Sequence, residues 1–371
     1  MQDKVISAKE AIALISDGDV VCTTGFVQSC IPELLHAELE KRYVETQSPK
    51  GLTLIMCAGA GDSKGLGTGR LHHEGLLKRV IAANFGRMPK VAEAAQANKI
   101  QGYNLPQGII SKLYRSCASG QPGLFSKVGL HTYVDPRLGG GKVNTVTTED
   151  IVKMVEVDGR EWLFYKATPI DVALIRATSA DPSGNLSMEK EPLTLDVLAQ
   201  AMGAHNNGGI VIAQVERIVE QGSIKPKDVK VPGILVDCVV VAEDPVMHRM
   251  NYGVMYNPAL SGEIRVPVDA IPKMELDERK IIARRAAFEL VRGKGRHVRD
   301  QRLWRHGGVT EGREFALGGR ERGRWPRRHR PMRGPIVLPE KAANGPTAGH
   351  ARACQQRRRH PERHTRHRQC V

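Results

Sequence analysis

The chain has 371 residues, and its 55 Lys and Arg outnumber its 40 Asp and Glu, giving a formal net charge of +15 and a pI near 9.6. The excess is confined: residues 295–371 hold 20 basic and 6 acidic residues, with 19 Arg to a single Lys and 7 of the 13 His, while residues 1–294 carry 35 basic against 34 acidic. The first 294 residues therefore have no electrostatic reason to seek a polyanion, no run nears the roughly 20 apolar residues of a membrane span, and 7 scattered Cys without a CxxC argue against a disulfide framework or a zinc site.

The N-terminus has no long apolar stretch and no small-residue cleavage site, so no signal peptide is expected and a reduced cytoplasm is the default. Ser7-Ala8-Lys9-Glu10 has capping-box spacing, with Ala8, Ile12 and Ile15 on one face of the helix that should follow. Short apolar runs rich in β-branched residues come next, at 19–22, 52–56, 171–175, 209–215 and 234–241. Their hydrophobicity is continuous rather than alternating, which marks strands covered on both faces. Helix-like stretches at 74–83 and 193–204 lie between them. Alternation of this kind predicts an α/β fold, a mostly parallel sheet with helices on both faces. The polar, Pro- and Gly-containing stretch 252–275 reads as a linker after a domain spanning 1–251. One more helix is expected within 276–294, where Ala283, Ala286, Ala287 and Leu290 share a face. Residues 295–371 contain only ten Ile, Leu, Val, Met or Phe, a composition that at this charge predicts disorder.

Ligands of such sheets gather at loops after the carboxyl ends of strands. Four loops qualify: Thr23-Thr24-Gly25-Phe26, Ala58-Gly59-Ala60-Gly61-Asp62, Tyr103-Asn104-Leu105-Pro106-Gln107-Gly108, and Ser179-Ala180-Asp181-Pro182-Ser183-Gly184-Asn185. Each also reads as a plain turn, and Gly59-Ala60-Gly61 lacks the third glycine of a dinucleotide fingerprint. Gln107 is the most suggestive side chain, an amide able to donate to a carboxylate or carbonyl oxygen, with its backbone fixed by Pro106 and Gly108. His72-His73-Glu74 is set aside as a metal site because neighbours on a helix do not face one point.

From about residue 6 to residue 290 the chain resembles the family I coenzyme A transferases of the single-chain acetate or propionate type. The resemblance rests on Asp17-Gly18, Val20-Val21-Cys22, Thr24-Gly25-Phe26 and Ile31-Pro32, with Thr24 and Cys30 where that signature has glycines. It continues through Leu71-His72-His73-Glu74-Gly75-Leu76, Tyr103 to Gly108, Asp135-Pro136-Arg137, Pro169-Ile170-Asp171, Gln214-Val215-Glu216-Arg217 and Leu276-Asp277-Glu278-Arg279. It implies a CoA-transferase α-type domain and transfer of CoA from a thioester to a carboxylic acid by covalent catalysis on a Glu carboxylate. It implies CoA thioester as substrate, no permanently bound cofactor, no metal, and homo-oligomers among intact members. It implies a substrate-binding set of Gln107, Gly25, Phe26, Asn104 and Gly108.

The same resemblance places the nucleophilic Glu in a second half, and beyond residue 294 the match stops. Gly295-Arg296-His297-Val298-Arg299-Asp300 and Trp325-Pro326-Arg327-Arg328-His329-Arg330 fit nothing in it. Glu311, Glu314, Glu321, Glu340 and Glu362 lack an apolar strand to position them, so no catalytic residue is assigned and the chain is expected to be inactive alone. Abundant Arg, Gly, Pro, Ala and His with one Lys is what GC-rich DNA yields in a wrong frame, which predicts a frameshift near 293–295. Two other readings stand beside this one: an α-type chain completed by a separate β-type chain, and a non-enzymatic protein whose basic tail binds nucleic acid non-specifically.

Overall fold

The computed structural model describes residues 3–270 and 275–292, the side chains of 268 and 287–292 excepted. The expected tail 295–371 and its five Glu lie outside the described residues. The capping box is present: Ser7 Oγ accepts from Glu10 N at 3.2 Å and the Glu10 carboxylate from Ser7 N at 3.0 Å, opening α1 (Ala8–Ala13). Among the described residues six further helices follow: α2 (Glu33–Thr46), α3 (Pro89–Gln96), α4 (Gln107–Ala118), α5 (Val197–Asn206), α6 (Pro258–Ser261) and α7 (Glu278–Arg292). The strands are β1 (Val20–Thr23), β2 (Leu52–Met56), β3 (Leu77–Ala82), β4 (Gln101–Asn104), β5 (Gly123–Ser126), β6 (Val152–Val157), β7 (Arg160–Lys166), β8 (Val172–Arg176), β9 (Ser179–Ala180), β10 (Leu186–Ser187), β11 (Ile210–Val215), β12 (Arg217–Ile218) and β13 (Cys238–Val241).

Seven of these strands form one sheet in the order β13-β11-β8-β1-β2-β3-β4, every pair parallel. Adjacent residues of each strand enter opposite layers. Val21, Leu54, Val80, Leu174 and Ile212 pack with α1, α2 and α3. Their neighbours Cys22, Ile55, Ile81, Ala173 and Ala213 pack with α4 and α5. Two buried faces explain the continuous apolar runs, since both side-chain directions of each strand end in core. The chain starts in the middle at β1, steps outward to β4, then returns to β8 on the other side of β1. The strand order therefore reverses between β1 and β8, the position where open α/β sheets bind ligands.

Two small sheets complete the fold, β5-β7-β6 and β10-β9-β12. The first contains a hairpin closed by Asp158 and Gly159 at φ +52° and +68°, the turn whose twist matches its strands.

Three expectations need correction. Residues 74–83 hold strand β3, not a helix: Lys78 and Arg79 give the run an amphipathic look, but Val80, Ile81 and Ala82 are buried between the layers. The helix expected from 193 begins at Val197, after Leu195 at φ +49°. The run 234–241 opens with a 3-10 turn, Gly233–Leu235, and becomes strand only at Cys238.

Candidate active site at the switch point

The loop after β1 is held by contacts that a larger residue would break. Gly25 has φ +137°, and a Cβ there would lie 2.6 Å from the Ala60 Cβ and 3.1 Å from Ile31 Cγ1. Beyond it Val27 N donates to Gly59 O at 3.0 Å and Gly61 N to Val27 O at 2.7 Å, which joins the loop after β1 to the loop after β2. Phe26 and Ser29 exchange backbone hydrogen bonds at 3.0 Å. Cys30 stands at φ +56°, so the left-handed turn is kept where the related signature has glycine.

Buried polar side chains fix this loop from behind. Thr23 Oγ1 and His36 Nε2 lie 2.9 Å apart, and Gln200 Nε2 donates to Thr23 O at 3.1 Å. Burial, with help from Arg70, pushes the His36 imidazole down to about 3, so it is neutral near pH 7. Arg176, at the end of β8, donates to Glu191 at 2.9 Å, to Ile31 O at 3.2 Å, and to Arg249 O at 2.8 Å. Burial alone would raise the Glu191 carboxyl; Arg176 and His248 instead hold it near 2. Glu33, the first residue of α2, accepts from Arg70 Nε at 2.7 Å, from Gly67 N at 2.9 Å and from the Tyr252 hydroxyl. Thr24 Oγ1 and Asn251 Nδ2 are buried and have no hydrogen-bond partner among the described residues. Buried orphans of this kind call for an explanation, and a bound carbonyl or carboxylate oxygen supplies one.

The sequence-derived candidates fall into two clusters on the carboxyl edge of the sheet. Gly25 and Phe26 follow β1. Asn104, Gln107 and Gly108 follow β4, three strand positions away, a separation on the order of 14 Å. Gln107 is the first residue of α4, exposed, with Pro106 before it as N-cap. Asn104 is turned inward: Nδ2 donates to Ala82 O at 3.3 Å, and Oδ1 accepts from the Tyr133 hydroxyl. The loop 179–185 is closed on itself, since Asp181 accepts from Ser183 N, Asn185 N and Asn185 Nδ2; it behaves as a turn. The premise that sets aside His72 and His73 does not hold. A 3-10 turn, Thr68–His72, ends there, His73 is extended, and the rings stack with centroids 4.4 Å apart.

Sequence reasoning misses Arg176, Glu191, His248, Glu33 and Arg70. Their pairing spans up to 72 residues along the chain, and no local pattern announces it. The single hint is a charge at the end of an apolar strand, Arg176 after Leu174-Ile175.

A doubly wound sheet with glycine-tight loops at its switch point defines an α/β protein built to act on a bound ligand. Residues 5–242 match the coenzyme A transferase family, and the chain belongs to that family. Caffeate CoA-transferase of Acetobacterium woodii is 46% identical over 290 residues, covering 78% of this chain and 55% of that protein. The crystal structure of the acyl-CoA transferase YdiF of Escherichia coli O157:H7, a thioester complex with CoA, superposes with a TM-score of 0.73 at 40% identity, covering 78% of this chain and 55% of that one. A separately encoded chain of succinyl-CoA:3-ketoacid coenzyme A transferase from Xanthomonas campestris pv. campestris strain B100 is 32% identical over 239 residues, covering 64% of this chain and 88% of that one. The chain thus spans about half the length of the first two. No helix among the described residues is long and apolar enough to cross a membrane.

Proposed function

We propose that this chain is the first half of a CoA-transferase of the acetate or propionate type, which moves CoA between a short-chain acyl-CoA and a carboxylic acid. The observation that carries this reading is the family match over residues 5–242 together with an exposed Gln107 at the head of α4, on the sheet edge that carries the switch point. The reaction needs a Glu carboxylate to attack the thioester carbonyl, expelling CoA thiolate and leaving a mixed anhydride. The thiolate then attacks the enzyme-side carbonyl, giving a glutamyl-CoA thioester and free acid, and a second acid reverses both steps. In this chain the Gln107 amide and the first N–H groups of α4 hold the acid's carboxylate, where the positive end of a helix favours an anion. Gly25 and Phe26 belong to the second cluster of the substrate site, while Asn104 is a positioning residue at the end of β4.

The nucleophilic Glu is absent from the first 294 residues in this reading, and the Arg-rich 295–371 is the product of a frameshift in the gene near codons 293–295. Resequencing that region tests this; an intact frame in the messenger refutes it. For activity, purified chain incubated with acetyl-CoA and propionate is expected to transfer no CoA, and a hydroxylamine-trapped glutamyl adduct on this polypeptide would contradict that.

A second reading has its own support. The chain aligns with 88% of a separately encoded chain of a two-chain relative. In this reading it acts as an α-type chain, completed by a β-type one. Co-purification with such a chain, and activity only on mixing, would favour it over the frameshift.

A further inference from the structure

We propose that Glu40, His72 and His73 form a binding site for a divalent transition-metal ion of the zinc class, at the opposite end of the sheet from the candidate active site. Gly51 N donates to Gly75 O and Leu52 N to Leu76 O, each at 2.8 Å, which sets the segment after His73 beside the first residues of β2. The site is thus at the amino edge, and it takes no part in the reaction proposed above.

One potential ligand atom from each of the three side chains lies within 4.8 Å of the other two. In a tetrahedral zinc site with bonds of roughly 2.0–2.1 Å, ligand atoms sit about 3.4 Å apart. His73 Nε2 and Glu40 Oε1 are already 3.0 Å apart. A small rotation of the His72 ring closes the rest.

The surroundings prepare each ligand. His72 Nδ1 faces Gly69 O at 3.0 Å, and an imidazole that donates there presents its Nε2 lone pair outward. Glu40 Oε2 accepts from Arg70 NH1 at 2.7 Å, which orients the carboxylate and leaves Oε1 toward His73. Arg70 is itself held by Glu33. A pocket of about 500 Å³, lined by Leu71, His72, His73, Lys90 and Lys99 among others, opens beside the rings and leaves room for water at the remaining coordination positions. Two of these features oppose a cation. Lys90 Nζ lies 3.3 Å from His72 Nε2, and the Arg70 guanidinium is close by. Lys90 is exposed at the start of α3 and can swing away; Arg70 stays with Glu33. A bound ion would tie α2 to the crossover that feeds β3.

The test is zinc titration of the chelator-treated full chain by calorimetry, with cobalt absorption as a second readout of tetrahedral geometry. Residues 295–371 contain 7 His and 2 Cys and will bind some metal themselves, so the quantity read is the difference between the parent and His72→Ala. One more equivalent in the parent, lost in His72→Ala and weakened about tenfold or more in Glu40→Gln, upholds the site. Equal stoichiometry and affinity in the parent and in His72→Ala overturns it. If His72→Ala loses its native circular dichroism, Lys90→Ala decides instead: tighter zinc binding upholds the site, because misfolding does not create affinity, and unchanged binding overturns it.

Discussion

Gly25 and Ala60 touch backbone to side chain, with only 2.6 Å between Ala60 Cβ and the position a Cβ at residue 25 would take. Two loops from adjacent parallel strands meet at that point, so the switch-point site depends on a missing methyl group. Replacement by Ala adds both a clash and a strained left-handed φ. We expect Gly25→Ala to lose about 3 kcal/mol of unfolding free energy in urea. A loss below about 0.5 kcal/mol would mean that the two loops are free to separate.

Arg176 and Glu191 form an ion pair with both side chains at most 4% exposed. Removing one partner leaves a buried charge without compensation. Glu191→Gln should therefore cost about 3–5 kcal/mol in the same measurement. The comparison is Arg217 with Glu189, also paired at 2.9 Å but with side chains 47% and 42% exposed. Breaking that pair should cost less than about 1 kcal/mol. Similar losses for the two variants would remove the special role given to the Arg176 network.

His36 sets the direction of the acid response. Its folded pKa, about 3, lies below the ordinary value of 6.5, because burial and then Arg70 disfavour the imidazolium. The unfolded chain takes up a proton that the folded one refuses, so stability is complete above about pH 6.5 and falls as pH drops toward 3. The slope is about 1.4 kcal/mol per pH unit for each such group. His248, lowered by burial and then by Arg176, adds in the same direction. We expect His36→Gln to lose about one proton's worth of that slope between about pH 6 and pH 4 in urea titrations. An unchanged slope would show that His36 is not the group refusing the proton.

The β6–β7 hairpin turns on Asp158 and Gly159, both at positive φ. Gly159→Ala should destabilise by about 1–2 kcal/mol and Asp158→Asn by almost nothing, since Asn tolerates this region. Thermal melts of the two variants separate the cases; equal melting temperatures would mean that the turn relaxes freely.

The central strands are readable because β1, β2, β8 and β11 are buried on both faces, and burial on both faces leaves an unbroken apolar run. β3 is misread for the opposite reason: its early residues Lys78 and Arg79 reach toward the sheet edge and carry charge. The Asp158-Gly159 pair between Val-rich and aromatic runs is a hairpin signal that the strand and helix periods alone pass over. Of the site, the glycine-bearing loops and Gln107 show in the sequence because backbone geometry demands particular residues locally. The clamp of Arg176, Glu191 and His248, and the orphaned Thr24 and Asn251, arise from contacts between distant segments that only folding brings together. The stacked pair His72 and His73 is hidden by assuming a regular helix where a 3-10 turn ends.

The most direct test of the central claim is an isotope assay of CoA transfer from acetyl-CoA to propionate, run on the purified chain alone and then mixed with the separately expressed C-terminal half of a full-length relative. The account predicts no transfer by the chain alone, transfer on mixing, and a drop of about tenfold or more in the mixed activity with Gln107→Ala. Robust transfer by the unmixed chain would contradict it.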